Sequence, residues 1–279
     1  AIAVGEYLDR SYRRALLKTV LDAIHEAREA KLFRADHRVH LRCEIADDAV
    51  LELFEPYADD PIVGLISLMD HTPGQRQWRD LKSFKTFKNA NMSDAEFQDY
   101  IDARIAKASK SADANRQGIL ARWASRGPVA SHDDTTLAHV EEAVADGIRI
   151  SEFPTTMAAA EAAKAAGMWT VMGAPNVVRG GSHSGNVSAL ELAEAGLLDA
   201  LSSDYAPISL IHAVFALHER VGMPLHRAMA TVSANPAAML GLDDRGEIAV
   251  GKRADVIRVA RIADAAIVRG TWVEGERVA

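Results

Sequence analysis

A chain of 279 residues, 48% of them hydrophobic, is long enough for one large domain or two medium ones. Its formal net charge of -7 argues against general nucleic-acid binding. Its one cysteine, Cys43, excludes an internal disulfide and fits a reducing, cytoplasmic setting, and no apolar run reaches the roughly 20 residues that a membrane span needs.

The first 17 residues, AIAVGEYLDRSYRRALL, have no signal-peptide layout and no initiator Met, so the natural chain is expected to begin earlier. Over 6–32, Tyr7, Leu8, Tyr12, Leu16, Leu17, Val20, Ile24 and Ala27 fall near helical spacing and predict a first helix. HRVHLRCEI (37–45) reads as a short strand, and 47–57 as a helix capped by Asp47 or Asp48. PIVGLISLMDH (61–71) is the near-continuous apolar run of a buried strand. Residues 93–126 predict a long polar helix or helix pair, with Ser93 and Glu96 spaced as a capping box. Strands are then predicted at GPVASH, IRISEF, MWTVMG and LLDALSSDY, with helices at TTLAHVEEAVADG, 155–167, 188–196 and ISLIHAVFALHERVG.

Six strands alternating with helices predict βαβ units and a parallel sheet. No GxGxxG or GxxxxGK[ST] fingerprint follows any of them, which removes the usual mark of a nucleotide-binding doubly wound fold. Strand after strand stays apolar until its C-terminal end, where Glu44, Asp70 with His71, His132, Glu152 and Asp204 stand. In a (β/α)8 barrel, catalytic groups from several strands converge at that end. The expected fold is therefore α/β, a distorted (β/α)8 TIM barrel. Six strands do not close eight, and the chain is read as starting on a helix, so about two strands are expected upstream. The tail from Gly246 is rich in β-formers with turns at Gly251-Lys252 and Gly270, and predicts antiparallel strands. The expected division is a hydrolase barrel over 1–243 and strands of a small β-sandwich over 244–279.

Glu44, His71, His132 and Asp204 are the residue types that divalent transition metals choose, on rigid strand ends. Each alone has a plainer reading: a lone His is a hydrogen-bonded loop residue, and Asp133 or Asp134 caps the following helix. The recurrence at five strand ends favours the metal reading. APNVVRGGSHSGN (174–186) offers Arg179, the Gly180 and Gly181 amides, His183, Ser184 and Asn186 to a phosphate chain, or is a flexible loop. DHTPGQRQWRDLKSFKTFK (70–88) is the most basic stretch; its lysines suit a solvated helix face, and Arg76, near the strand end, is the candidate ligand.

TVSANPAAMLGL followed by GEIAVGKRADVIRV, with SSDY before it, resembles the end of an amidohydrolase-superfamily protein. RCEI, SLMDHTPGQRQ, SHDDTT, SEFPTT, GAPNVVRGGSHSGN and SSDY, in that order, are similar to the superfamily branch of α-D-ribose 1-methylphosphonate 5-triphosphate diphosphatases of the carbon–phosphorus lyase pathway. The resemblance implies the distorted barrel with one or two divalent ions (Zn, Mn or Fe). It also implies hydrolysis of the ribosyl 5-triphosphate to 5-phosphate and pyrophosphate. It makes Glu44, His71, His132 and Asp204 the metal ligands. Asp204 is also the proton acceptor, with Asp133 beside it as the second catalytic residue. Arg76, Arg179, Gly180, Gly181, His183 and Asn186 would hold phosphates, and Asp134 and Glu152 would also face substrate. The family's first-strand histidine motif is absent from this sequence. The expected partner is a small ribosyl triphosphate, with neither nucleic acid nor membrane, in a cytoplasmic homo-oligomer. The alternatives are a C–N hydrolase of the same superfamily, such as a deaminase or cyclic amidase, and a non-catalytic scaffold.

Overall fold

The computed structural model describes residues 1–5, 12–88, 92–182 and 185–279. It divides into two compact units: 1–33 with 37–155, and 34–36 with 156–279.

The first unit runs β1 (Ile2–Val4), α1 (Tyr12–Glu29), β2 (Val39–Glu44), α2 (Val50–Phe54), β3 (Val63–Met69), α3 (Leu81–Lys88), α4 (Asp94–Trp123), β4 (Val129–His132), α5 (Leu137–Ala145) and β5 (Ile150–Glu152). The five strands are parallel and lie side by side in chain order. Ile66, Ser67, Leu68 and Met69 of β3 are all buried, because a strand covered on both faces tolerates little else. On β2 the alternation is legible: Leu41 and Cys43 take one face, and His40, Arg42 and Glu44 the other. The long helix α4 opens on the expected capping box, in which Glu96 N–H donates to Ser93 Oγ and Ser93 N–H donates to Glu96. Its buried Asn115 donates to the carbonyls of Ile45 and Asp47, each at 2.8 Å. Those bonds satisfy backbone acceptors just past β2 and so steady the strand end that carries Glu44.

The chain does not open on a helix, because β1 precedes α1 and pairs with Leu41, Arg42 and Cys43 of β2. Three residues are too few to show a period of two; the neighbouring strand, not local pattern, makes them a strand.

The second unit runs α6 (Met157–Ala165), β6 (Trp169–Gly173), α7 (Ala174–Arg179), α8 (Ala189–Glu194), β7 (Ala200–Ser202), α9 (Ser209–Val221), α10 (Leu225–Ala230), α11 (Ala234–Met239), β8 (Val256–Ile262), β9 (Ala265–Val273) and β10 (Glu276–Arg277). β6 and β7 are parallel; β8, β9 and β10 form the antiparallel sheet expected of the tail. Leu192, Leu198, Leu201, Val214 and Leu217 pack with the alanines of α6, α8 and α9 into one core. The stretch 174–179, read as part of a glycine loop, is helical. Pro175 stands in its first turn, and Gly180 ends it at φ +85°, a conformation that favours glycine.

Candidate metal centre

The site begins with two strand ends. His132 is the last residue of β4, and His71 lies two residues beyond β3. Both are buried, with ring centroids 5.7 Å apart at 65°. Each turns its Nδ1 toward a carboxylate. His71 Nδ1 meets Glu44 Oε2 at 2.5 Å, while the His71 backbone N–H donates to Glu44 Oε1 at 3.0 Å. His132 Nδ1 meets Glu152 Oε2 at 2.8 Å. A carboxylate acceptor fixes the proton on Nδ1, which leaves the Nε2 lone pair of each neutral ring pointing the other way. There stands Asp133, whose Oδ2 lies 3.9 Å from His71 Nε2 and 3.5 Å from His132 Nε2.

Asp133 reaches that place through its backbone. Its φ is +56°, in the left-handed region that costs a non-glycine residue energy, and its N–H donates to Glu152 O at 2.9 Å. Phe153, the residue after β5, has φ +57°. Thr136 and Thr156 then cap α5 and α6 by accepting the His139 and Ala159 N–H groups. SHDDTT and SEFPTT thus repeat one device: strand, left-handed residue, threonine cap.

The donor set fits a divalent cation. One ligand atom from each of His71, His132 and Asp133 lies within 4.8 Å of the others. Ligands on bonds of about 2.1 Å in a tetrahedron stand roughly 3.4 Å apart, close to the Asp133 separations. Charge agrees. Glu44, Glu152 and Asp133 carry three negative charges and Arg42 one positive, an excess of two. Burial alone would push the His71 imidazole down, but the charge and hydrogen bond of Glu44 and the charge of Asp133 hold it above its ordinary range. That shift marks a site short of positive charge. Burial likewise works to raise Glu152, and it is overcome by His40, the His132 hydrogen bond and Arg42, which hold it well below the usual carboxylate range. His40 is itself pushed down to about 4, chiefly by burial, so near neutral pH the Glu152 anion rests on His132 and Arg42.

Asp134 is separated from Asp133 by one peptide bond and has a different setting. It is fully buried and accepts from Arg76 Nη1 at 2.9 Å, from Ser151 Oγ at 2.8 Å and from Ser131 Oγ. Arg76 Nη1 also donates to His132 O at 2.9 Å, and its Nη2 lies 3.5 Å from Glu142. The guanidinium thereby holds the end of β4 from behind.

The first unit therefore brings together Glu44, His71, His132, Asp133 and Glu152, with Arg76 and Asp134 beside them. Asp204, Arg179, Gly180, Gly181 and Asn186 belong to the second unit. Asp204 is exposed just past β7 with φ +48°. Arg179 is exposed at the end of α7. The Gly180 and Gly181 N–H groups both donate to Asn176 O at 3.1 Å, closing that helix. Asn186 N–H donates to Ser182 Oγ at 3.3 Å. His183 lies outside the described residues. Two residues at the first cluster escaped the sequence reading: His40, whose Nε2 meets Ser67 Oγ at 3.0 Å, and Arg42. The signal was available in VHLRCE, where polar residues recur at every second position of one strand.

A family model described as the amidohydrolase family matches residues 102–279. The chain is also 44% identical, over all of its length and 75% of the relative's, to the alpha-D-ribose 1-methylphosphonate 5-triphosphate diphosphatase of Escherichia coli (strain K12). The chain belongs to the amidohydrolase family. The fold of this amidohydrolase is the distorted (β/α)8 barrel type, with a small antiparallel sheet at the C-terminus. The N-acetylglucosamine-6-phosphate deacetylase from Pasteurella multocida superposes with a TM-score of 0.54 at 13% identity, over 99% of this chain and 74% of that one. The ochratoxinase of A. niger gives a TM-score of 0.52 at 18% identity over 85% of this chain, which spans 55% of the ochratoxinase. At such identities these two speak for the fold alone. No helix among the described residues of the amidohydrolase is long and apolar enough to cross a membrane.

Proposed function

We propose that this amidohydrolase is a metal-dependent diphosphatase that cleaves the 5-triphosphate of α-D-ribose 1-methylphosphonate to the 5-phosphate and pyrophosphate in phosphonate catabolism. The observation that carries the reading is the buried His71–His132–Asp133 cluster, in a chain 44% identical along its whole length to a diphosphatase of that substrate. In this reading 1–243 carry the hydrolase barrel and 244–279 the strands of a small sandwich.

His71 and His132 would hold the metal through Nε2, and Asp133 through a carboxylate oxygen. A bound divalent ion would supply Lewis acidity and a lowered pKa for water. The protein's own part is to orient and to move protons. Glu44 and Glu152 hold the two rings by Nδ1, so neither imidazole turns away. The left-handed backbone at Asp133 fixes its carboxylate between them. Asp204 takes the proton of the attacking water, a role supported by its place after β7 in the family pattern. Asp204 also remains a proposed ligand; Glu44, both of whose oxygens are taken by His71, is assigned to orienting that ring and not to the metal. On the phosphates, Arg179, His183 and Asn186 are the proposed contacts. The Gly180 and Gly181 amides close α7 and leave those contacts to side chains. Arg76 and Asp134 hold each other, so we assign them to shaping the strand end.

The test is product analysis with manganese-loaded protein and a panel of ribosyl and nucleoside triphosphates. Release of pyrophosphate with one phosphate left on the sugar supports the reading. Release of orthophosphate alone, or of ammonia from amide and amine substrates, overturns it and favours a different hydrolase of the superfamily.

A further inference from the structure

On β2 the pairing of Arg42 with Ser67 and of Glu44 with Met69 fixes Arg42 two residues before Glu44, on the face that also carries His40. Arg42 is partly buried. Its Nε donates to the thioether of Met69 at 3.1 Å, and its Nη2 meets His132 Nε2 at 3.0 Å. Neither partner is an anion. Among the described residues no carboxylate forms an ion pair with Arg42. Three other partly buried arginines have one within reach: Arg76 has Asp134 at 2.9 Å, Arg116 has Asp146 at 2.6 Å, and Arg253 has Asp255 at 2.8 Å.

A guanidinium is a rigid fork of five donors that matches two oxygens of one phosphoryl or carboxylate group. A thioether is a weak acceptor, and an imidazole nitrogen offers a single lone pair. The charge of Arg42 is balanced at longer range by Glu152, but its hydrogen-bonding fork is only partly used by these two partners. The deficit grows if the His132 lone pair goes to a metal ion, for the fork then keeps only the sulfur. Carboxylates of the cluster face the imidazoles, and the oxygens of a bound phosphoryl group would suit the free donors of the fork.

We propose that Arg42 is a substrate-binding residue whose guanidinium takes the oxygens of a phosphoryl group at the His71–His132–Asp133 cluster. The assignment rests on the proposed reading of that cluster as a metal site for a phosphorylated substrate. It places the first phosphate contact on a strand rather than on a loop, where backbone pairing limits its freedom. Arg42 stands beside the group that the substrate presents to the metal.

The experiment uses the whole chain loaded with manganese(II), with inorganic pyrophosphate and orthophosphate as probes in calorimetric titrations. Metal per chain by elemental analysis and the thermal midpoint serve as controls. Arg42→Gln should bind pyrophosphate roughly 10- to 100-fold more weakly, the range expected for losing charged hydrogen bonds. Metal content should not fall, because the guanidinium competes with the ion for His132. Arg42→Lys keeps the charge without the fork and should also lose affinity, by less. Wild-type pyrophosphate affinity in Arg42→Gln at full metal content overturns the proposal. So does a metal-loaded wild type that binds neither probe. If Arg42→Gln does not fold, unchanged affinity in Arg42→Lys overturns it. The two readings fail separately. Unchanged binding in the variants, with pyrophosphate still released from ribosyl triphosphate, removes Arg42 alone. Binding that depends on Arg42 without triphosphate cleavage removes the diphosphatase alone.

Discussion

Asp133 and Asp134 are neighbours in sequence and belong to two opposite kinds of buried charge. Around Asp134 the account is closed: one guanidinium and two hydroxyls meet one carboxylate. Around Asp133 it is open, with two imidazoles, three carboxylates and a single guanidinium. The closed cluster is what a fold uses to fix a strand end, and the open one is what a site uses to hold a ligand. Substitution should separate them. Asp134→Ala takes the nearer anion from the buried Arg76 guanidinium, which keeps only the longer Glu142 contact and the His132 carbonyl, and should cost about 3 kcal/mol in urea unfolding. Asp133→Asn removes a carboxylate from a cluster with negative excess and should change stability by less than about 1 kcal/mol. It should nevertheless lose metal and turnover. Equal destabilisation by both substitutions, with metal content untouched in Asp133→Asn, would erase the distinction.

The next largest effect is in the pH dependence. His40 is held at about 4, below its ordinary 6.5, mainly by burial. The folded form resists protonation where the unfolded chain accepts it, so stability is lost as pH falls from about 6.5 to 4 and then levels off. At about 1.36 kcal/mol per pH unit the loss is at most about 3 kcal/mol. Glu152, also depressed, loses its contribution only below about pH 4.5. His71, raised, keeps its contribution throughout the acid range and loses it as pH rises. Denaturant midpoints between pH 6.5 and 4.5 therefore report His40 together with His139, which burial and Arg76 also hold down, and His40→Gln should make that slope shallower. A variant with the same slope as wild type places the acid sensitivity elsewhere. Smaller again is the effect of the carboxylates behind the rings. Glu152→Gln should weaken metal binding by roughly 10- to 100-fold in chelator competition. Unchanged affinity would mean that His132 needs no orienting partner.

Much of the architecture was legible because period and punctuation are local. The capping box at Ser93 and Glu96, the apolar run of β3 and the turn residues of the tail each needed only a short window. Polar strand ends were legible for the same reason, and they led to His71 and His132. What stayed hidden is tertiary. β1 exists because β2 lies beside it. The helical identity of 174–179 depends on Gly180 adopting φ +85° and on Arg220 bonding the carbonyls of Val177 and Val178. Arg42 and His40 lie inside β2 rather than at its end, and only the face that a strand shows along its whole length reveals them. The contrast between Asp133 and Asp134 is written nowhere in the letters DD. It depends on φ +56° at Asp133 and on Arg76, which reaches Asp134 from 58 positions away.

The smallest effect lies in the same short stretch and completes the gradient. The sequence left Asp133 or Asp134 as the cap of α5; the cap is Thr136, which accepts the His139 N–H at 3.3 Å. Its hydroxyl satisfies one of the N–H groups that a helix start leaves without a partner. Thr136→Ala should cost about 1 kcal/mol, and Thr136→Ser should restore it. Neither change touches a group that faces the imidazoles, so metal content and turnover should stay at wild-type levels. Within SHDDTT the expected consequence of substitution then passes from ligand loss at His132 and Asp133, through global destabilisation at Asp134, to a cap-sized loss at Thr136. Urea unfolding and metal analysis on the same set of variants measure both axes. A Thr136→Ala protein that folds normally but loses metal would show that α5 positions the Asp133 carboxylate, and the open and closed clusters would then be one mechanical unit.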